Sequence, residues 1–287
     1  MELPWLKYTQ SADEYLRHSY KIPQNLPKLP LPDEPFVSKW QTAKGRGALD
    51  FLADGLGLSV FKFTWREMES VEISFANTLG GALPLIDTSC HEDFCAMEAA
   101  VNGRAQLRKL PLTVNAFTIE ARALPIFRHR LILLNRAPYS NIPAEKMGLS
   151  IEDWLERSHR LRLRHECAHY ETLRLLGDME NHALDEIIAD GLGQIAAFGN
   201  FDAERQRLFF GIKKGQDICD GRLSFYCQKV SPNQRQRIYR AIDKALETVS
   251  EELNELISNG RGEAEILTTL AGRSIAEMVD ARSNAMT

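Results

Sequence analysis

The sequence lacks the features that mark membrane-spanning, secreted and nucleic-acid-binding proteins. No uninterrupted apolar run approaches the ~20 residues needed to cross a bilayer, and the start, MELPWLKYTQ, has no basic stretch followed by an apolar one. Lys and Arg number 35 against 39 Asp and Glu, a net charge of -4, which argues against a general nucleic-acid binder. We therefore expect a cytoplasmic protein with no membrane or nucleic-acid partner.

Cysteine is scarce as well, with five residues in a chain of 287. Five is an odd number, and a chain of this length can build its own hydrophobic core, so we expect free thiols and no disulfide framework. The composition, 44% hydrophobic and 26% charged, is typical of a globular protein and excludes disordered and fibrous classes.

Half of the twelve prolines lie in the first 35 residues. Each proline removes a backbone donor and biases the preceding residue towards extended angles, so residues 1–44 are predicted to form a proline-rich arm. The remainder, 45–287, is predicted to form one domain, with a mixed α/β part over 45–149 and a helical part over 150–287.

Local patterns predict an α+β fold, with a mixed β-sheet layer and a helical layer. Apolar and polar residues alternate in the first two of five predicted strands, 61–65, 71–75, 82–87, 117–121 and 130–135. Helices are predicted over 89–102, 150–176, 181–198, 231–258 and 263–280, from cap residues and apolar spacing of three or four.

One predicted helix carries a long apolar stripe, formed by Ile238, Ile242, Leu246, Val249, Leu253 and Leu256. Such a stripe packs on its own domain in most proteins. A homodimer through the C-terminal helices, as a short coiled coil, is the alternative.

The most informative stretch is RHECAHY. His165 and His169 are four residues apart on a predicted helix, so both imidazoles project from one face and can bind one metal ion. Glu166 stands beside the first histidine, where its carboxylate can act as a general base towards water. The pattern HExxH predicts a catalytic metal site.

A second acidic pair follows on the next predicted helix. Glu186 and Asp190 are again four apart, so Glu186 can complete the ligand set and Asp190 can accept the outer N–H of a ligand histidine. His182 is an alternative third ligand. The plainer interpretation makes the histidines ordinary core or surface residues and the two acids a solvated helix face.

HECAH followed by DEIIAD resembles the gluzincins, the thermolysin-like zinc metallopeptidases with an HExxH…ExxxD pattern, over about 26 of the 287 residues. The resemblance implies a zincin-like fold with an HExxH active-site helix and one zinc ion per chain, held by His165, His169 and Glu186. It further implies Glu166 as the base, Asp190 as an outer partner, and a strand beside the active-site helix that holds the substrate backbone, for which 130–135 is the candidate.

Three residues near the motif are candidates for substrate or transition-state contacts, namely His182, Arg164 and Tyr170. The segment 104–136 contains seven arginines and lysines but only one acidic residue, Glu120. They favour either a basic cleft for an acidic substrate or ion pairs with the acidic C-terminal helices.

Together these patterns predict a zinc-dependent metallohydrolase, a metallopeptidase or amidase acting on a peptide or small amide. The alternative is a non-catalytic, metal-binding regulatory or interaction protein on the same scaffold.

Overall fold

The computed structural model describes residues 8–285 apart from 125 and 127. The chain divides into two compact units. The sheet unit is Asn25–Leu175, and the helical unit combines Met1–Gln24 with Leu176–Thr287. Residues 8–24 of the predicted arm thus belong to the helical unit and 25–44 to the sheet unit, while residues 1–7 lie outside the described part.

The structure is α+β, with a small mixed sheet and many helices, which confirms the predicted fold class at this level. The strands are β1 (Glu72–Thr78), β2 (Gly81–Thr88), β3 (Ala116–Glu120) and β4 (Arg130–Asn135). The helices are α1 (Ala12–Leu16), α2 (Val37–Gln41), α3 (Ala48–Asp50, continued by a π-helical turn, Phe51–Gly55), α4 (His91–Val101), α5 (Ala144–Met147), α6 (Ile151–Leu176), α7 (Ala183–Phe198), α8 (Ala203–Phe210), α9 (Leu223–Tyr226), α10 (Pro232–Ser258), α11 (Glu263–Ala271) and α12 (Ile275–Ala285).

The sheet of the sheet unit has the strand order β1-β2-β4-β3. Strands β1 and β2 form an antiparallel hairpin, β2 and β4 are parallel, and β3 pairs antiparallel with β4. The apolar run RLILLN forms β4, one of the two inner strands, and it is buried between β2 and β3. Strand β3 is consequently an edge strand.

The strand predicted over 61–65 is wrong. Val60–Lys62 forms a 3-10 turn instead, and the Trp65 indole N–H donates to the Val60 carbonyl at 3.1 Å. Phe61 is exposed and Phe63 and Trp65 are half-buried, so the alternating aromatics here belong to a local turn and not to a strand.

Helix α6 begins as its sequence predicts, since the Ser150 hydroxyl accepts the Asp153 N–H at 3.1 Å. It runs for 26 residues and contributes Cys167 and Tyr170 to the core of the sheet unit. That core also holds Phe36 and Trp40, which come from the proline-rich segment.

The helical unit is organised around α10, which packs with α1, α8 and α12, while α11 packs with α7. Five residues of the apolar stripe, from Ile238 to Leu253, are buried and Leu256 is half-buried. The stripe therefore serves packing within the chain, and a homodimer through these helices stays a prediction.

The last predicted helix, 263–280, is two helices. Between α11 and α12, Ser274 and Glu277 form a reciprocal cap, in which each side chain accepts the other residue's backbone N–H. Across the described residues, no helix has the length and apolar character that a membrane crossing requires.

Candidate metal centre

His165 and His169 project from one face of α6 in the sheet unit, as their spacing predicts. Their Nε2 atoms are 3.0 Å apart and their rings are nearly perpendicular, at 86°. Two imidazole nitrogens bound to one tetrahedral zinc ion at 2.0–2.1 Å stand about 3.4 Å apart. The pair is therefore within a few tenths of an ångström of the spacing that a shared ion requires.

Glu166, the residue between them in sequence, is held by the edge strand. The Thr118 hydroxyl oxygen of β3 lies 2.8 Å from both the Glu166 carbonyl oxygen and its carboxylate Oε2. Glu166 is buried, so this hydroxyl limits the rotation of a carboxylate that little water reaches. The predicted general base thus has a defined orientation beside a strand edge.

The outer nitrogen of His165 has a partner that the sequence pattern does not reveal. The Tyr139 hydroxyl lies 3.0 Å from His165 Nδ1, and both residues are buried. The Tyr139 backbone N–H in turn donates to Ser158 of α6 at 3.0 Å. A histidine fixed through Nδ1 presents Nε2, which is the arrangement that metal-binding histidines generally show.

Glu186 and Asp190 lie one turn apart on α7 in the helical unit and are 5% and 0% exposed. This burial contradicts the interpretation of a solvated helix face. Arg222 provides compensating charge, with Nη1 3.5 Å from Glu186 and Nη2 against Asp190. Asp190 also accepts the Gln206 amide at 2.5 Å. Burial of the Tyr226 phenol, with the nearby Glu186 carboxylate, raises the pKa of Tyr226 above its usual value.

His182 has a structural role at the start of α7. Its Nδ1 accepts the Leu184 N–H at 3.0 Å as the helix N-cap, and its Nε2 lies 3.0 Å from the Tyr15 carbonyl oxygen. Burial, reinforced by the charge of His18, lowers the pKa of His182 to about 3. Both ring nitrogens therefore have hydrogen-bond partners within the helical unit, and the substrate contact and the alternative ligand role of His182 stay predictions.

The other two residues predicted to contact the substrate, Arg164 and Tyr170, lie on α6 and also have hydrogen-bond partners within the protein. Arg164 donates to the buried Glu171 carboxylate at 2.8 Å. The Tyr170 phenol donates to Glu34 at 2.9 Å and accepts from Arg174 at 2.7 Å. Burial raises the pKa of Tyr170, so it stays a neutral part of the core. Both side chains are tied into the packing of the sheet unit.

Residues 121–282, more than half of the chain, match the model of DUF7005, which is described as a family of unknown function. The chain belongs to this family. The DUF7005 match contains both HECAH and DEIIAD, and it also contains Tyr139 and Arg222. No curated protein and no solved structure is similar enough to the chain to match it.

Three residues that contact the predicted site residues within their own units were not identified from the sequence. Tyr139 and Arg222 lie inside the DUF7005 match, and Thr118 lies just before it. Each is tens of residues from the side chain it contacts, so no helical or strand spacing links them. An arginine that follows two spaced acids is too common a pattern to have identified Arg222.

Proposed function

We propose that this protein is a zinc-dependent metallohydrolase with a zincin-like arrangement, a metallopeptidase or amidase that cleaves a peptide or small amide. The observation that carries the proposal is the His165–His169 pair, with Nε2 atoms 3.0 Å apart next to a buried, oriented Glu166. His₂Glu is a ligand set used by catalytic zinc, so Glu186 is proposed as the third ligand, from the ExxxD spacing.

When bound, zinc would supply a Lewis acid for the scissile carbonyl and for the attacking water. Glu166 takes the proton of that water and passes it to the leaving amine. Thr118 keeps the Glu166 carboxylate oriented, and Tyr139 keeps His165 in the orientation that presents Nε2. Asp190 is proposed as the outer partner of a ligand histidine, with Arg222 balancing its charge.

The strand that holds the substrate is proposed to be β3, and not the predicted 130–135 strand. Both edges of β4 are occupied, by β2 and by β3. Among the described residues no strand pairs with the outer edge of β3, and its Thr118 contacts Glu166. An extended peptide can hydrogen-bond to such an edge.

A cytoplasmic location is also part of the proposal. All five cysteines are free thiols, of which Cys95, Cys167 and Cys227 are buried. Thiols persist in reducing compartments.

Elemental mass spectrometry on the purified protein tests the metal. We expect about one zinc per chain, lost in His169→Ala and kept in Glu166→Gln. His159→Ala is the matched control, because His159 lies on α6 and contacts Asp87 instead of the other histidines. Absence of zinc after zinc is supplied would overturn the proposal, as would equal zinc in wild type and His169→Ala. Zinc binding without Glu166-dependent hydrolysis of any peptide or amide would favour the non-catalytic alternative.

A further inference from the structure

The described part of the sheet unit carries exposed cations for which no ion pair with an acid of the same unit is described. Between Glu98 and Glu145 the only acidic residue is Glu120, which is exposed. Arg104, Arg130 and Arg136 of this segment pair with Glu98, Glu34 and Glu72, respectively. These partners belong to the sheet unit. They do not belong to the acidic C-terminal helices, with which the sequence analysis had considered ion pairs.

Four other cations of the segment are exposed, and no ion pair is described for them within 8–285, apart from 125 and 127: Arg108, Lys109, Arg122 and Arg128. The first two lie on the loop 102–115, which leads into β3. The other two lie on the loop that follows β3, of which the structure describes 121–124, 126, 128 and 129. We call these the two basic loops.

The two basic loops flank the edge strand that contacts Glu166. The Ala123 N–H donates to the Val101 carbonyl at 3.0 Å, so the loops start side by side at the end of α4. Strand β3 has five residues, a length of about 17 Å at ~3.3 Å per residue. An extended peptide of about eight residues would follow the strand and reach both loops.

We propose that the substrate is an acidic peptide segment, bound extended along the outer edge of β3 with its carboxylates facing the two basic loops. This inference rests on the proposed function, since it assigns β3 as the substrate strand. Exposed guanidinium and ammonium groups attract carboxylates, and a strand edge supplies the main-chain hydrogen bonds that a peptide needs.

A peptide suits this surface better than a single-stranded nucleic acid. The exposed large apolar side chains described on the two loops are Leu107, Leu112 and Ile126, all aliphatic, while Phe127 of the second loop lies outside the described residues. Nucleic-acid grooves use aromatic rings on which bases stack, whereas aliphatic side chains can pack on the apolar residues of a peptide.

The test uses full-length, zinc-supplied Glu166→Gln protein, which is expected to bind peptide without cleaving it. Three fluorescein-labelled octapeptides are compared by anisotropy, identical except for central glutamate, glutamine or lysine residues. At about 0.05 M salt we expect the glutamate peptide to bind at least about tenfold more tightly than the glutamine peptide, an advantage that shrinks at about 0.5 M salt because the charges are exposed.

Adding Arg122→Glu and Arg128→Glu should remove the preference for glutamate. The matched control is Lys62→Glu with Lys146→Glu, which makes the same change of net charge at two exposed lysines of the sheet unit outside the basic loops. It should leave the preference within about twofold. Circular dichroism of each variant verifies the fold.

Equal binding of the three peptides would overturn the inference, and so would an equal loss of preference in both double variants. Tighter binding of an oligothymidylate than of the glutamate peptide would also overturn it. Zinc content is measured on the same samples, so the outcomes are separable. A glutamate preference without zinc would refute the metallohydrolase alone, and zinc without a preference would refute the acidic substrate alone.

Discussion

Removing the Tyr139 hydroxyl should weaken zinc binding while leaving every proposed ligand in place. Tyr139→Phe keeps the ring and deletes only the oxygen that lies 3.0 Å from His165 Nδ1. When His165 binds an ion through Nε2, its Nδ1–H needs an acceptor, and in the variant this buried N–H has lost the phenol oxygen.

The size of the effect follows from this contact. Loss of an outer partner of a metal-binding histidine typically costs 10–100-fold in affinity, about 1.4–2.7 kcal/mol. The partner here is a neutral phenol and not a carboxylate, so we expect the lower end, about tenfold. Deleting the buried hydrogen bond should also lower the free energy of unfolding by about 1–2 kcal/mol.

Competition against a chromophoric zinc chelator measures the affinity, and urea unfolding measures the stability. Tyr170→Phe is the matched control, because its buried hydroxyl bonds Glu34 and Arg174 in the same unit but not the histidines. It should lose similar stability and keep its zinc affinity. Wild-type affinity in Tyr139→Phe, or an equal loss of affinity in both variants, would refute the reasoning.

Two further predictions concern Thr118 and His182. Thr118→Val should keep zinc but lower the rate of hydrolysis about tenfold or more, because a hydrogen bond to the Glu166 carboxylate is lost. Thr118→Ser keeps the hydroxyl and should keep the rate of hydrolysis close to wild type. Unchanged turnover in the valine variant would contradict the orienting role of Thr118. Burial lowers the pKa of His182 to about 3 in the folded protein, below the usual value near 6.5. The contribution of His182 to the free energy of unfolding is therefore complete above pH 6.5 and falls as the pH drops from 6.5 towards 3. The decrease is at most about 1.4 kcal/mol per pH unit. His182→Asn can still cap Leu184 and does not titrate, so urea unfolding at several pH values should show a flatter profile over that range; an unchanged slope would assign the acid sensitivity to other groups.

Local sequence signals succeeded where a single element decides the outcome. Ser150 with Asp153 marks the start of α6, and Ser231-Pro232 marks the start of α10. The strands β1 to β4 were found from alternation and apolar runs. Two helix N-caps were missed, Asp202 before α8 and Ser274 before α12.

The sequence by itself determined which side chains share a helical face, because an α-helix repeats every 3.6 residues. It thereby predicted the His165–His169 pair and placed Glu186 and Asp190 one turn apart. Only the tertiary structure decided which groups meet across distant segments. It put the Thr118 hydroxyl against Glu166 and Tyr139 against His165, it made β3 the edge strand, and it used both nitrogens of His182 for capping and packing. These contacts join residues far apart in the chain, and their geometry depends on how the core packs and not on any local spacing.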